Sequence, residues 1–192
     1  MRSAASPNKR CSWVNVDDPL LLEYHDREWG VPVHSDHKHF EVLVLSGAQA
    51  GLNWSLVLKK REGYRRAFDR FNPERVARYS EKHTRSLLAD PQIIRNRMKI
   101  EAAVRNARAF LKIQEEFGGF DSYCWRFVGG KPKLGRWKAT RQIPARIRGI
   151  EQGSQAAGIQ FRRANSRICV HASDWIGERS PRQLLPLSGT PE

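Results

Sequence analysis

Three features of the 192-residue chain predict an all-α fold. Apolar residues recur at helical rather than alternating spacing, capping residues stand at the starts of those runs, and glycines close them. No strand alternation, internal repeat or coiled-coil heptad competes with that reading. The length suits a single domain with a tail, and 40% apolar with 28% charged residues excludes wholesale disorder and collagen.

Taken in order, Asp18 and Pro19 read as an N-cap and a first helical residue, predicting a short helix to about Trp29. Gly30-Val31-Pro32 breaks it. A second helix is expected from just after Asp36 through the apolar stretch to Ala50, ended by Gly51. From Asn53 to Phe68, Trp54, Val57, Leu58, Tyr64 and Phe68 fall at helical spacing, and Lys59, Lys60, Arg65 and Arg66 mark another face. Asn72-Pro73-Glu74 opens a further short helix. The strongest period runs from Arg95 to Phe117, where Ile100, Ala103, Val104, Ala107, Phe110 and Leu111 form one stripe closed by Gly118-Gly119. Asp121 is expected to cap a last short helix carrying Tyr123, Trp125 and Phe127. Residues 129–143 read as a basic loop, periodicity fades after about Arg146, and Ser180–Glu192 has no pattern.

The formal charge of +14 points to a polyanion or an anionic surface as partner. Cys11, Cys124 and Cys169 cannot all pair and are too sparse for a secreted disulfide scaffold. Met1–Arg10 lacks the apolar core of a secretory signal. The stretch Phe40–Leu58 approaches membrane-span length but carries Glu41, Gln49 and Asn53. A soluble, cytoplasmic protein with no membrane partner is expected.

Reactive residue types are densest near the N-terminus: Cys11, Trp13, Tyr24, His25, Asp26, Glu28 and Trp29. On a helix Tyr24 shares a face with Glu28, and His25 shares the adjacent one with Trp29. Thiolate and imidazole make Cys11 and His25 plausible zinc ligands, against a buried thiol and a core histidine as the plainer reading. His34, His37 and His39 are read as a solvated polar connection. Trp54 follows a break and faces either a pocket or the core. Lys59, Lys60, Arg61, Arg95, Arg97 and Lys99 form either a solvated face or a phosphate-binding one. No Walker loop, dinucleotide-binding glycine motif, nucleophile elbow or paired CxxC is present.

The same residues carry a family resemblance. Arg10-Cys11-Ser12-Trp13-Val14, Tyr24-His25-Asp26-Arg27-Glu28-Trp29-Gly30-Val31-Pro32 and Gln49-Ala50-Gly51-Leu52-Asn53-Trp54 resemble the 3-methyladenine DNA glycosylase I family. So do Val57-Leu58-Lys59-Lys60-Arg61-Glu62, Ile93-Ile94-Arg95-Asn96-Arg97 and Asn106-Ala107-Arg108-Ala109-Phe110. The match runs continuously from about Arg10 to Arg146. It implies a single helical domain of the helix-hairpin-helix DNA glycosylase type over residues 10–161, followed by a divergent tail at 162–192. The implied activity is release of 3-methyladenine from alkylated double-stranded DNA, by hydrolysis of the N-glycosidic bond after base flipping, in a monomer. Tyr24 and Trp54 would stack on the base, Trp29 and Trp13 would wall its pocket, and Cys11 and His25 would be two of four ligands to a structural zinc.

Two departures qualify this. The family pattern Leu-Glu-Gly reads Leu45-Ser46-Gly47 here, so Ser46 stands where a base-reading carboxylate is expected. The tail also fails to match after Phe161. Back-translated with suitable codons, Arg162-Arg163-Ala164-Asn165 and the first base of the Ser166 codon, read one nucleotide later, spell the family's Val-Gly-Pro-Thr. With codons chosen likewise, and the single codon of Trp175 fixed, Asp174–Ser180 shifted the same way spell Ile-Gly-Leu-Val-Asn-Asp-His. A one-base insertion near the Phe161 codon would explain both, with a weaker sign of a shift at residues 150–155. It would remove the two C-terminal zinc ligands, which Cys169 and His171 do not replace by alignment. The competing reading is therefore a catalytically impaired DNA-binding relative.

Overall fold

The computed structural model describes residues 10–11, 13–127, 129–130 and 158–159. Among them every regular element is helical: α1 (Pro19–Arg27), α2 (Asp36–Gln49), α3 (Trp54–Ala67), a 3-10 turn (Asp69–Phe71), α4 (Pro73–Ala77), α5 (Glu81–Ala89), α6 (Arg97–Phe117) and α7 (Phe120–Arg126). The long α6 is the hub, packing against α2, α4, α5 and α7, while α3 bridges α1 and α2. Phe40, Phe110, Phe120, Tyr123 and Ile113 fill the core, and Ile159 returns to it from the far end of the chain. No helix among the described residues is long and apolar enough to cross a membrane.

The capping chemistry read from the sequence sets most boundaries. Asp18 accepts from the Leu21 amide, with Pro19 in the first turn. Asn53, Asn72 and Asn96 do the same for α3, α4 and α6. Gly51 and Gly118 take left-handed backbone at the ends of α2 and α6, as the sequence predicts.

Three readings are corrected. α1 ends at Arg27, so Trp29 lies in the following turn. Asp121 does not cap α7, whose N-cap is Gly119. The free amides of Phe120 and Asp121 are instead taken by the Asp36 carboxylate at 2.9 and 2.7 Å, across 85 residues of chain. His39 is no solvated loop residue, because it is fully buried in the first turn of α2 with Nε2 2.9 Å from Asp121 Oδ1. His37 also belongs to α2, exposed, while His34 precedes the helix, exposed, and stacks on Trp125. The sequence reading passed over α5, because Thr84 and Leu87 are its only buried residues and no apolar stripe announces it.

An ion-pair network locks α1, α2 and α3 together. Arg61 of α3 forks onto Glu28, just past α1, at 2.6 and 2.9 Å, and its Nε meets Glu41 of α2 at 2.6 Å. Lys38 bridges the same two carboxylates, and Arg65 adds a contact at 3.2 Å. Glu41 is almost fully buried. Burial pushes both carboxyls up, but the Arg61 and Lys38 contacts outweigh it and hold Glu28 at about 2 and Glu41 below its usual range.

Arg61→Ala therefore strands a buried carboxylate. It is expected to cost about 3 kcal/mol and roughly 6–12 °C of unfolding midpoint, read by calorimetry. The depressed carboxyls bind protons more readily in the unfolded chain. Their stabilisation is thus complete above about pH 5 and is lost as the pH falls towards 2. His39, depressed mainly by burial, adds a shallower loss that starts below about pH 6.5. A flat midpoint between pH 7 and pH 3 would contradict this account.

Candidate active site

The residues singled out near the N-terminus converge. Tyr24, buried on α1, faces Trp54 at the start of α3 with ring centroids 5.3 Å apart and planes tilted by 56°. Leu21 and Leu58 pack behind this pair, and Trp29 closes one side. Trp29 stacks on His25 at 5.5 Å and 13°, and Trp13 sits edge-on to both rings. A hydrogen bond from Ser55 Oγ to Asp18 ties the first turn of α3 to the cap of α1, which fixes Trp54 beside Tyr24.

Ser46 projects from α2 and is buried, 5% exposed. Its Oγ and the indole Nε1 of Trp29 are buried polar atoms without a hydrogen-bond partner among the described residues. Buried polar groups normally find partners, so the orphaned Trp29 indole N–H inside the aromatic cluster marks a place where a polar ligand completes the set.

The carboxylates nearby are all engaged. Glu28 and Glu41 belong to the Arg61 network, Asp18 receives Ser55, and Asp26 receives Arg10 at 2.8 Å. The Arg10 bond, aided by His25, holds the Asp26 carboxyl below its usual range despite partial burial. The cluster thus offers ring faces and neutral polar atoms for binding a planar cation, rather than a carboxylate pair for acid–base work.

A profile of the methyladenine glycosylase family matches residues 13–161. The chain belongs to the 3-methyladenine DNA glycosylase I family.

The DNA-3-methyladenine glycosylase 1 of Escherichia coli (strain K12) is 40% identical over 162 residues, spanning 84% of this chain and 86% of that protein. A crystal structure of a 3-methyladenine DNA glycosylase I matches with TM-score 0.77 at 38% identity, covering 88% of this chain and 93% of that one. The enzyme from Staphylococcus aureus, solved for the structural basis of its 3-methyladenine recognition, matches with TM-score 0.77 at 29% identity, covering 88% of this chain and 94% of that one. The all-helical fold expected from the sequence is the fold of these relatives.

The family-implied zinc can be weighed against the side chains present. His25 Nδ1 lies 2.8 Å from Asp26, whose ionised carboxylate can only accept, so Nδ1 carries the proton. Nε2 is left as an acceptor pointing at Cys11, whose amide reaches it at 3.4 Å. A carboxylate-oriented imidazole next to a cysteine fits half of a tetrahedral zinc site. No group of three or more such ligands exists among the described residues, and the tail, with Cys169 and His171, lies outside them.

Several cations left open by the sequence are already committed. Lys99 Nζ donates to the Ala48 and Ala50 carbonyls at 2.6 and 2.8 Å, finishing the end of α2, and Arg97 pairs with Glu81. Sequence reasoning also missed Leu52, a 37% exposed leucine at the α2–α3 turn, although it stood inside a quoted family block.

Because Ser46 Oγ lacks a partner among the described residues, Ser46→Ala exchanges an unsatisfied hydroxyl for a methyl group. Its unfolding free energy is expected to stay within about 1 kcal/mol of the parent or to rise. A loss well beyond that in denaturant titration would mean that the hydroxyl is bonded in the native protein.

Proposed function

We propose that this protein is a DNA repair glycosylase that hydrolyses the N-glycosidic bond of 3-methyladenine in alkylated double-stranded DNA. The observation that carries the reading is the contact between the buried Tyr24 of α1 and the half-buried Trp54 at the start of α3, in a member of this family. In DNA the methylated base is a cation, and tryptophan and tyrosine faces attract cations by roughly 0.5–2 kcal/mol each. The base must leave the stack to reach that pair, which the enzyme drives with phosphate contacts and a side chain filling the gap. Leu52, apolar, exposed and two residues before Trp54, is placed to be that wedge.

The chemistry asks little of acid catalysis. As the C1′–N bond breaks, the bonding electrons neutralise the positive base, and water adds to C1′ of the sugar cation and gives up a proton. Tyr24 and Trp54 hold the base while Trp29 and Trp13 wall it. Ser46 offers a hydroxyl where the family pattern has a carboxylate, so it hydrogen-bonds the base edge without countering its charge. The fold is of the helix-hairpin-helix DNA glycosylase type, and the protein acts as a cytoplasmic monomer.

Incubation with methylated duplex DNA tests the activity directly. Free 3-methyladenine should appear, and Trp54→Ala should reduce its rate at least about tenfold by removing a stacking face. Ser46→Glu should tighten 3-methyladenine binding, and an unchanged affinity would remove Ser46 from base reading. Duplex binding without base release would favour the impaired relative. On that second reading the tail is out of frame, which the coding DNA settles. Elemental analysis should then find well below one zinc per chain, because Cys11 and His25 alone cannot close the site.

A further inference from the structure

The carboxylate of Asp18 serves the first turns of two helices. Its Oδ1 accepts the Leu21 amide at 3.3 Å and caps α1, and its Oδ2 accepts the Ser55 hydroxyl in the first turn of α3. Lys59, one turn further along α3, brings its Nζ to 3.9 Å from the same Oδ2. The Ser55 bond, joined by the Leu21 amide and Lys59, outweighs desolvation and holds the carboxyl below its usual range. It is therefore an ionised acceptor at neutral pH, and Ser55 can only donate to it. Both helix N-termini carry partial positive charge, so a carboxylate suits this junction. Further along, Leu21 and Tyr24 meet Leu58 and Trp54, and then Glu28 meets the Arg61 fork. α1 and α3 thus share an apolar seam bracketed by two polar ties, with Trp54 next to the Asp18 one.

Apolar contact is non-directional, so the seam alone leaves the two rings free to slide and tilt. A hydrogen bond fixes distance and direction, and this one acts on the residue adjoining Trp54. We propose that Asp18 is a positioning residue of the base site: through Ser55 it sets the tilt of Trp54 against Tyr24, and with it how tightly the flipped base is held. The proposal rests on the glycosylase reading for the base that these rings receive. The Arg61 fork carries the stability of the α1–α3 contact, whereas the Asp18–Ser55 bond, at the partly exposed edge of the seam, carries its geometry. The two roles separate because a single bond of this kind contributes little to folding. Misplacing a stacking face by about 1 Å, in contrast, weakens every contact the base makes with it.

The test uses the full chain and three readouts: affinity for free 3-methyladenine by tryptophan fluorescence, base release from methylated duplex DNA, and the thermal unfolding midpoint. Ser55→Ala leaves the α1 cap intact and should bind the free base about fivefold more weakly, with the midpoint lowered by no more than about 4 °C. Release at saturating duplex should slow to a similar degree, while the duplex concentration for half-maximal rate stays the same. Ser55→Thr, which keeps the hydroxyl, should restore affinity and release. Asp18→Ala should weaken base binding as much as Ser55→Ala, and the double variant no further, since the two side chains act as one unit. Unchanged free-base affinity in Ser55→Ala would overturn the proposal, as would a Ser55→Thr chain no better than Ser55→Ala. Losses that multiply in the double variant would also overturn it. An Asp18→Ala chain that fails to fold leaves the decision to the two Ser55 variants. A parent that binds the free base yet releases none from DNA ends the activity reading, and the affinity comparison still decides the role of Asp18. A parent that neither binds nor releases the base would overturn both.

Discussion

The buried contact between Arg61 and the pair Glu28 and Glu41 holds the site in register. Tyr24, Trp29 and Trp54 come from α1, the turn after it and the start of α3, which have no backbone ladder in common. A guanidinium presents a planar fork, so a single arginine fixes the spacing and the rotation of the elements it joins. Here the fork spans the end of α1 and the middle of α2 from a residue on α3. With Lys38 bridging the same carboxylates, the burial of Glu41 is offset, and the three elements form one rigid body. The aromatic cluster inherits that rigidity.

The same economy shapes the electrostatics. Residues 10–67 carry eight lysines and arginines against eight aspartates and glutamates, and most of these are paired with one another. The excess of +14 therefore resides elsewhere in the chain, with residues 131–192 alone holding twelve basic against four acidic side chains. Near the cluster the carboxylates are already engaged, so ring faces are the surface left to meet a cation. The basic surplus acts at longer range, raising the local concentration of a polyanion without choosing a base.

Much of the helical frame was legible because its signals are local. Asp18-Pro19, Asn72-Pro73 and Gly118 act on backbone groups within four residues, so their meaning does not depend on the rest of the fold. α5 was not legible for the complementary reason: it borrows its stability from packing on α6 and shows little stripe of its own. His39 misled for a related reason, since a polar residue at a helix start reads as solvated until α7 arrives to use it.

The sequence by itself determined the residue types at the site and their order, through the blocks around Cys11, Tyr24 and Trp54, and with them the family. It also showed that serine stands at position 46. Only the tertiary structure decided what those residues do to one another. The pairing of Tyr24 with Trp54, the orientation of His25 by Asp26, the commitment of Lys99 to the end of α2 and the tie of Asp18 to Ser55 all join positions far apart in the chain or set by packing. Such contacts depend on how helices cross, which is settled by the shapes of buried side chains rather than by any local signal.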